Sequence, residues 1–303
     1  MTLADYVIFT AVAEHRNMTH ASEKLHLTRS AISHAVSRME QELGFSLFIK
    51  TTHGISLTTN GEMLLPLAYS VIQSHNHFHE TVSSINGLDA GHVRLGTCSS
   101  TCINWVPQLV HTFRTMYPAV ELHIFGGANN AQILAMLEKN EIDLGIAAAE
   151  SSGTILATRM YDDEMVCVTN TSFATRTPGI VTPEELAHMS LILSDQDYGE
   201  ESRIVMNQVR LSASPNIIAI DDAGLVALVS AGLGYCIIGR LVLKAITSPV
   251  RVFSFDPPQY RRLALLEKRN LPSSPAIEAF KEHILRFVET YPNPPEDPAA
   301  AAG

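Results

Sequence analysis

Residues 17–61 read NMTHASEKLHLTRSAISHAVSRMEQELGFSLFIKTTHGISLTTNG and carry the strongest structural signal in the chain. Just upstream, Leu3, Tyr6, Val7, Phe9, Thr10, Val12 and Ala13 form an apolar stripe at helical spacing from Leu3 to His15. Thr19 then caps a second, short helix with Ala21, Ser22 and Leu25 turned inward, and His26-Leu27 makes a turn. Thr28 caps a third helix that runs to about Leu43 and stops at Gly44. Ala31, Ile32, Ala35, Val36, Met39 and Leu43 form its inner side. Near its start the outer side shows Thr28, Arg29, Ser30, Ser33 and His34, short or forked donors of the kind that reach base edges in a major groove. A solvated helix face is the other explanation, and the small residues between the second and third helices weigh against it. Phe45–Lys50 and Ile55–Thr58 read as two short strands joined by the polar turn Thr51–Gly54, a β-wing. The expected contacts with double-stranded DNA are Thr19, Thr28, Arg29, Ser30, Ser33, His34, Arg38, Lys50, Thr51, Thr52 and His53, the last four on phosphate or in the minor groove.

The ordered run ASEKLHLT (Ala21–Thr28), AISHAVSRMEQELG (Ala31–Gly44), Leu47-Phe48 and LTTNG (Leu57–Gly61) resembles the LysR-type transcriptional regulators. It departs from their pattern at Arg29, where Gln is frequent, and at Lys50, where Arg is usual. An Arg fork favours guanine over adenine, and Lys keeps the charge but loses bidentate geometry. The resemblance implies an α/β protein in three parts. These are a winged helix-turn-helix head over 1–60, a dimerising linker helix over 61–89, and a two-lobed, periplasmic-binding-protein-like effector domain over 90–291. The lobes would be about 90–162 with 266–291, and 163–265. It also implies a roughly palindromic promoter site, a small-molecule effector, contact with RNA polymerase, and assembly as a homodimer or homotetramer, with no catalysis and no cofactor.

Composition fits that reading once charge is located along the chain. The 303 residues are 46% hydrophobic and 17% charged, an ordinary globular balance, with a net charge of −10. Through Asn60, however, five basic residues (Arg16, Lys24, Arg29, Arg38, Lys50) balance five acidic ones (Asp5, Glu14, Glu23, Glu40, Glu42), so the excess of acid lies in the body. The apolar runs fall short of a membrane span. The N-terminus carries no cationic-then-apolar leader, which points to a cytoplasmic protein. Cys98, Cys102, Cys167 and Cys236 form no CxxC pair and are expected as free thiols.

From Thr59 to about Leu88 a single helix is expected, bent by Pro66. Leu64, Ala68, Val71, His75, Phe78, Val82 and Ile85 alternate in steps of four and three, a heptad seam for pairing with a second copy. An amphipathic helix packed on its own domain gives the same pattern. Beyond the turn Asp89–Gly91, strands and helices alternate. Strands are expected at His92–Cys98, Val120–Phe125 and Ile142–Ala148, with helices at Ser100–Tyr117 and Ala131–Lys139. A second unit has strands at Met165–Thr169, Leu191–Leu193, Ile217–Ile220 and Tyr235–Ile238. Its helices are Pro183–His188, Glu200–Leu211 and one capped by Asp221 or Asp222. Arg262–Lys268 returns the chain to the first unit, Ile277–Glu289 is a final helix, and Pro292–Gly303 is a disordered tail. Two such lobes with two crossovers make a hinged cleft.

The turn Thr97–Thr101, between a strand's carboxyl end and a helix N-terminus, suits a carboxylate. Ordinary capping by Ser99 or Ser100 is the competing explanation. The expected effector residues are Ser99, Ser100, Thr101, Gly127, Ala147, Gln196, Tyr198 and Asp222, the acid binding an amine or merely capping a helix. No metal site is expected, since His75, His77 and His79 do not share a helix face. An enzyme on the two-lobed body would need a GxSxG elbow, a phosphate loop or metal-spaced His/Glu, and none is present. The alternative regulator is a thiol-based redox sensor without a small-molecule effector.

Overall fold

The computed structural model describes residues 1–51, 54–85, 91–194, 200–219, 221–269 and 273–291. The expected turn at Asp89-Ala90 and the tail from Pro292 lie outside these residues. The head consists of α1 (Leu3–His15), α2 (Met18–Lys24), α3 (Arg29–Leu43), β1 (Phe48–Thr51) and β2 (Gly54–Leu57). Asn17, not Thr19, caps α2. Its Oδ1 accepts from the Thr19 N–H at 2.8 Å, because Asn17 has extended backbone while Thr19 already sits in the first turn. Thr28 caps α3 by accepting from Ala31 N–H at 3.2 Å, and Gly44 ends it at φ 79°.

Ile32, Ala35, Val36 and Met39 close onto Ile8, Phe9, Val12 and Ala21 to make the head's core. Ala31, expected inside, is exposed: it lies about 100° round the helix from Ile32. Glu40 holds the entrance to the wing, accepting from Leu47 and Phe48 N–H at 2.7 and 3.1 Å. The wing strands then pair antiparallel, Phe48 opposite Leu57. Gly61 is required where it stands, because a Cβ there would run into the Leu47 carbonyl oxygen.

The long helix α4 (Thr59–Ile85) follows, with Pro66 inside it. Its first turns belong to the head, where Leu64, Leu65 and Ala68 complete the core. Next come β3 (Gly91–Thr97), α5 (Ser99–Asn104), α6 (Val106–Met116), β4 (Val120–Gly126), α7 (Asn130–Glu138) and β5 (Leu144–Ala147). The single helix expected over Ser100–Tyr117 is broken at Trp105. Pro107 has no N–H to return to the Ile103 carbonyl, so the ladder stops there and α6 restarts with Pro107 in its first turn.

The remaining elements are β6 (Ile155–Asn170), α8 (Pro183–Leu186), β7 (Leu191–Ser194), α9 (Glu200–Gln208), β8 (Pro215–Ala219) and α10 (Asp222–Ser230). They are followed by β9 (Cys236–Gly239), α11 (Arg240–Leu243), β10 (Val250–Phe253), β11 (Gln259–Lys268) and α12 (Pro275–Thr290). The main sheet runs β10-β6-β11-β5-β3-β4, with β9 also on β6, and β7-β8 form a parallel pair apart from it. The two crossovers are thus two long strands, β6 and β11, paired antiparallel from Ile155–Lys268 to Met165–Gln259. The first lobe closes around Val93, Trp105, Leu109, Phe113, Phe280 and Ile284 at one end of this ribbon. At the other end the second lobe closes around Cys167, Leu193, Tyr235 and Phe253 on one sheet face and Val166, Val226 and Ile238 on the other.

The first lobe is tied to α4 through one buried carboxylate. Asp143 accepts from Gln73 Nε2 at 2.9 Å and from Arg94 through its backbone N–H at 2.8 Å, Nε at 3.2 Å and Nη2 at 2.6 Å. Asn140 adds bonds from its Nδ2 to the Pro66 carbonyl at 3.1 Å and the Ser70 hydroxyl at 2.8 Å. Asp143→Ala takes the carboxylate from the half-buried Arg94 and leaves it only the Asn140 carbonyl, and is expected to cost about 3–5 kcal/mol of stability. Urea denaturation of the full chain measures this; an unchanged midpoint would show that the network carries no load.

Candidate DNA interface and effector cleft

With the core closed beneath it, the opening of α3 presents Thr28, Arg29, Ser30, Ser33 and His34 to solvent, and Thr19 is exposed on α2. The Thr28 hydroxyl is partly engaged, capping the helix and lying 3.0 Å from Ser30 Oγ. Arg38 also serves the head internally, since its guanidinium pairs with the buried Asp5 of α1. Burial pushes the Asp5 carboxyl up, but hydrogen bonds from Thr2 and Arg38 outweigh it and leave the group below the ordinary carboxylate range. Lys50 and Thr51 lie on β1 next to the turn; Thr52 and His53 fall outside the described residues.

The seven-residue seam of α4 divides in two. Leu64 and Ala68 are taken up by the chain's own head, because the helix starts beneath the wing. Val71, Phe78 and Val82 are exposed, as are Met63 and Leu67, which the heptad reading did not include. His75 is exposed with its ring 4.5 Å from that of His79, and the Ile85 side chain lies outside the described residues.

Between the lobes, Arg261 of β11 is the centre of the cleft. Its Nε donates to Asp163 on β6 at 2.8 Å, its Nη1 to Glu201 on α9 at 2.9 Å, and its Nη2 to the Ser100 hydroxyl on α5 at 2.8 Å. Burial alone would lower its pKa, but Glu201 and Asp163 hold the guanidinium firmly charged. Glu201 is also gripped by Asn130 Nδ2 at 3.0 Å, and Asp163 by the Leu241 N–H at 2.8 Å. Arg261, Glu201 and Asn130 border both an inner cavity of about 50 Å³ and an outer groove of about 600 Å³, so they form the wall between the two.

Ser99, Ser100 and Asp222 line the inner cavity. Thr101 does not: it is fully buried, its hydroxyl bonded to that of Thr97. Gly127 and Ala147 do not line it either, Ala147 being packed in the core beside Ile133, and Gln196 and Tyr198 lie outside the described residues. Neither Ser99 nor Ser100 caps α5; Cys98 holds that position. Asp221, and not Asp222, caps α10 by accepting from Gly224 N–H at 2.6 Å. Burial pushes the Asp222 carboxyl up, with Arg261 opposing and Glu201 and Asp221 reinforcing the rise. Arg261, Glu201, Asn129 and Asn130 were missed in the sequence. The only signal for them was the Asn-Asn pair that opens α7, where the capping Asn129 accepts from Gln132 N–H at 2.7 Å.

The comparisons with known proteins fit this arrangement. Residues 86–289 match a family model described as the LysR substrate binding domain, and residues 3–62 match one described as the bacterial regulatory helix-turn-helix protein, lysR family. The chain belongs to the LysR-type transcriptional regulators. As a LysR-type regulator it is similar to the uncharacterized HTH-type transcriptional regulator YvbU of Bacillus subtilis, 25% identical over 93% of this chain and 98% of that one. It is also similar to the HTH-type regulator CbbR of Sinorhizobium medicae, 27% identical over 88% of this chain and 86% of that one. Its fold is shared with a full-length OxyR from Pseudomonas aeruginosa, TM-score 0.75 at 19% identity over 98% of this chain and 99% of that one. It is shared too with full-length CbnR complexed with its target DNA, TM-score 0.66 at 16% identity over 95% and 100% of the two chains. This regulator has no described helix long and apolar enough to cross a membrane, and no described cluster of three or more metal-ligating side chains.

The thiols of the regulator fall into two classes. Cys167 and Cys236 are fully buried on adjacent strands but belong to cores on opposite sheet faces, and burial pushes both thiols up. Cys98 and Cys102 are half-buried. In the native chain, Ellman's reagent is therefore expected to titrate Cys98 first, Cys102 more slowly because partial burial and the neighbouring Cys98 push its thiol up, and Cys167 and Cys236 only after denaturation. Four rapidly reacting thiols would contradict the burial.

Proposed function

We propose that this LysR-type regulator occupies a roughly palindromic promoter site as a homodimer or homotetramer, reads it with the opening of α3, and is switched by a small molecule bound between its lobes. The observation that carries the proposal is the cleft wall. Asn130 of the first lobe bonds Glu201 of the second directly, and Ser100 of the first lobe is joined to Glu201 through Arg261 on the hinge ribbon. A ligand that competes for these bonds changes the balance between closed and open lobes, which is a population shift and not catalysis. The first lobe is fastened to α4, so the change reaches the spacing of the two heads and, through it, contact with RNA polymerase. A carboxylate on the effector would find donors at Ser99 and Asn129.

The exposed apolar side chains Met63, Leu67, Val71, Phe78 and Val82 give α4 the surface to pair with a second copy. CbnR, solved with its target DNA, lends support to the head's role, and the QuiR effector-binding domain solved with shikimate to that of the cleft.

DNase footprinting on the regulator's own promoter region tests the contact set. Arg29→Ala is expected to lose about tenfold or more in affinity. Ser33→Ala should weaken binding less, and unchanged footprints in both would overturn the reading of α3. Sedimentation tests the pairing surface: Phe78→Glu is expected to yield monomer at concentrations where the parent chain is dimeric or larger.

A further inference from the structure

We infer that the effector is a zwitterion of the α-amino-acid class, its ammonium group held by Asp222 and its carboxylate by Asn129. The inference rests on the cleft being the effector site. Charge comes first. The inner cavity is bordered by three carboxylates, Glu200, Glu201 and Asp222, against a single guanidinium, Arg261, among the described residues. That guanidinium is already matched by Glu201 and by Asp163 behind it. A plain anion entering here meets a surplus of negative charge, whereas a ligand with a cationic end is attracted.

Asp222 is the group placed to receive that cation. Asp221 meets the capping need of α10, so the neighbouring carboxylate is not spent on the helix. Among the described residues no hydrogen-bond donor reaches Asp222, although it is half-buried.

The second observation is independent of charge. Asn129 and Ser194, only 4% and 6% exposed, line the cavity from opposite lobes, and Asn129 Nδ2 and Ser194 Oγ have no partner among the described residues. The Asn129 amide is not free to turn over, because its Oδ1 accepts from Gln132 N–H at 2.7 Å. Its Nδ2 is therefore a fixed donor, which requires an acceptor such as a carboxylate oxygen. A carboxylate-ended anion satisfies Asn129 but not Asp222, and a simple amine satisfies Asp222 but not Asn129. A molecule carrying both groups close together satisfies both. The inner cavity of about 50 Å³ favours a compact one.

The test uses the full-length chain and isothermal titration with each proteinogenic L-amino acid, its deaminated carboxylic acid and its decarboxylated amine. At least one amino acid is expected to bind tenfold or more tightly than both of its truncated forms. Asp222→Asn should lose tenfold or more of that affinity. Asn129→Asp keeps the helix cap but replaces the donor with a second charge; it should lose affinity while unfolding at the parent temperature. Deaminated acids binding as tightly as the amino acids would overturn the inference, as would wild-type affinity in Asp222→Asn or no binding by any amino acid. Each of those results leaves the effector reading standing wherever another compound binds and alters promoter affinity. Binding of an amino acid with no effect on promoter affinity would instead defeat the regulatory reading while leaving the site assignment intact.

Discussion

A buried guanidinium sets the terms on which the regulatory body holds together. Arg261 and Asp163 face each other in register on the hinge ribbon, so their pairing is part of the scaffold and survives any movement of the lobes. The other two bonds of Arg261, to Ser100 and Glu201, reach into separate lobes, and on the proposed switching they are the ones that opening would break. Charge-assisted hydrogen bonds contribute about 1.5–3 kcal/mol each. Closure is then a modest preference, with the charge of Arg261 permanently satisfied at the hinge and the lobe contacts exchangeable. A ligand needs only a comparable difference in affinity between closed and open forms to reset the equilibrium. The same arrangement avoids the severe cost of a buried charge left without a partner when the lobes part.

Movement in the cleft matters only if one lobe is anchored. The first lobe is: Asp143 and Asn140 bind Gln73, Ser70 and the Pro66 carbonyl of α4. No hydrogen bond or ion pair described for the second lobe reaches α4 or the head. On the proposed switching, opening and closing would displace the second lobe against a frame made of the first lobe, α4 and, through Leu64, Leu65 and Ala68, the head. Pro66 sits at the junction. It cannot donate to the Glu62 carbonyl, and its own carbonyl accepts from both Ser70 and Asn140, so the helix is locally loosened where the lobe is fastened.

The head was legible almost residue by residue because local rules coincide there: helical periodicity, a Thr cap, a Gly stop, and a short hairpin. The body was legible as alternation, but its hinge was not. Of the sixteen-residue strand β6 only Met165–Thr169 stood out, since Arg159, Asp162, Asp163 and Glu164 break the apolar pattern upstream. Those charges are tolerated because Asp163 pairs with Arg261, Glu164 with Arg240, and Arg159 with Asp162. Periodicity detects burial that is apolar; it does not detect burial secured by a partner a hundred residues away. Arg261 escaped notice for the same reason, and with it the cleft wall. Thr101, by contrast, was given a role because its residue type fits an anion site, while its actual place is decided by the turn of α5 into the core.

The charge balance of the head shows how a formally neutral unit still leaves a cation unpaired at the start of α3. Of its five acids, Asp5 lies buried against Arg38, Glu40 accepts two backbone N–H groups at the wing, and Glu42 meets the amino terminus at 2.7 Å. These carboxylates are fixed in structural roles, whereas Arg29 at the start of α3 has no acidic partner described and faces solvent. The fold thus sorts charge that the sequence leaves balanced. It also limits what charge can do here. With so few basic side chains, counterion release contributes little, and affinity must come largely from base-edge contacts and from doubling the head through α4. On the proposed pairing through α4, this dependence would let the geometry of that helix, and hence the state of the cleft fastened to it, govern binding to DNA.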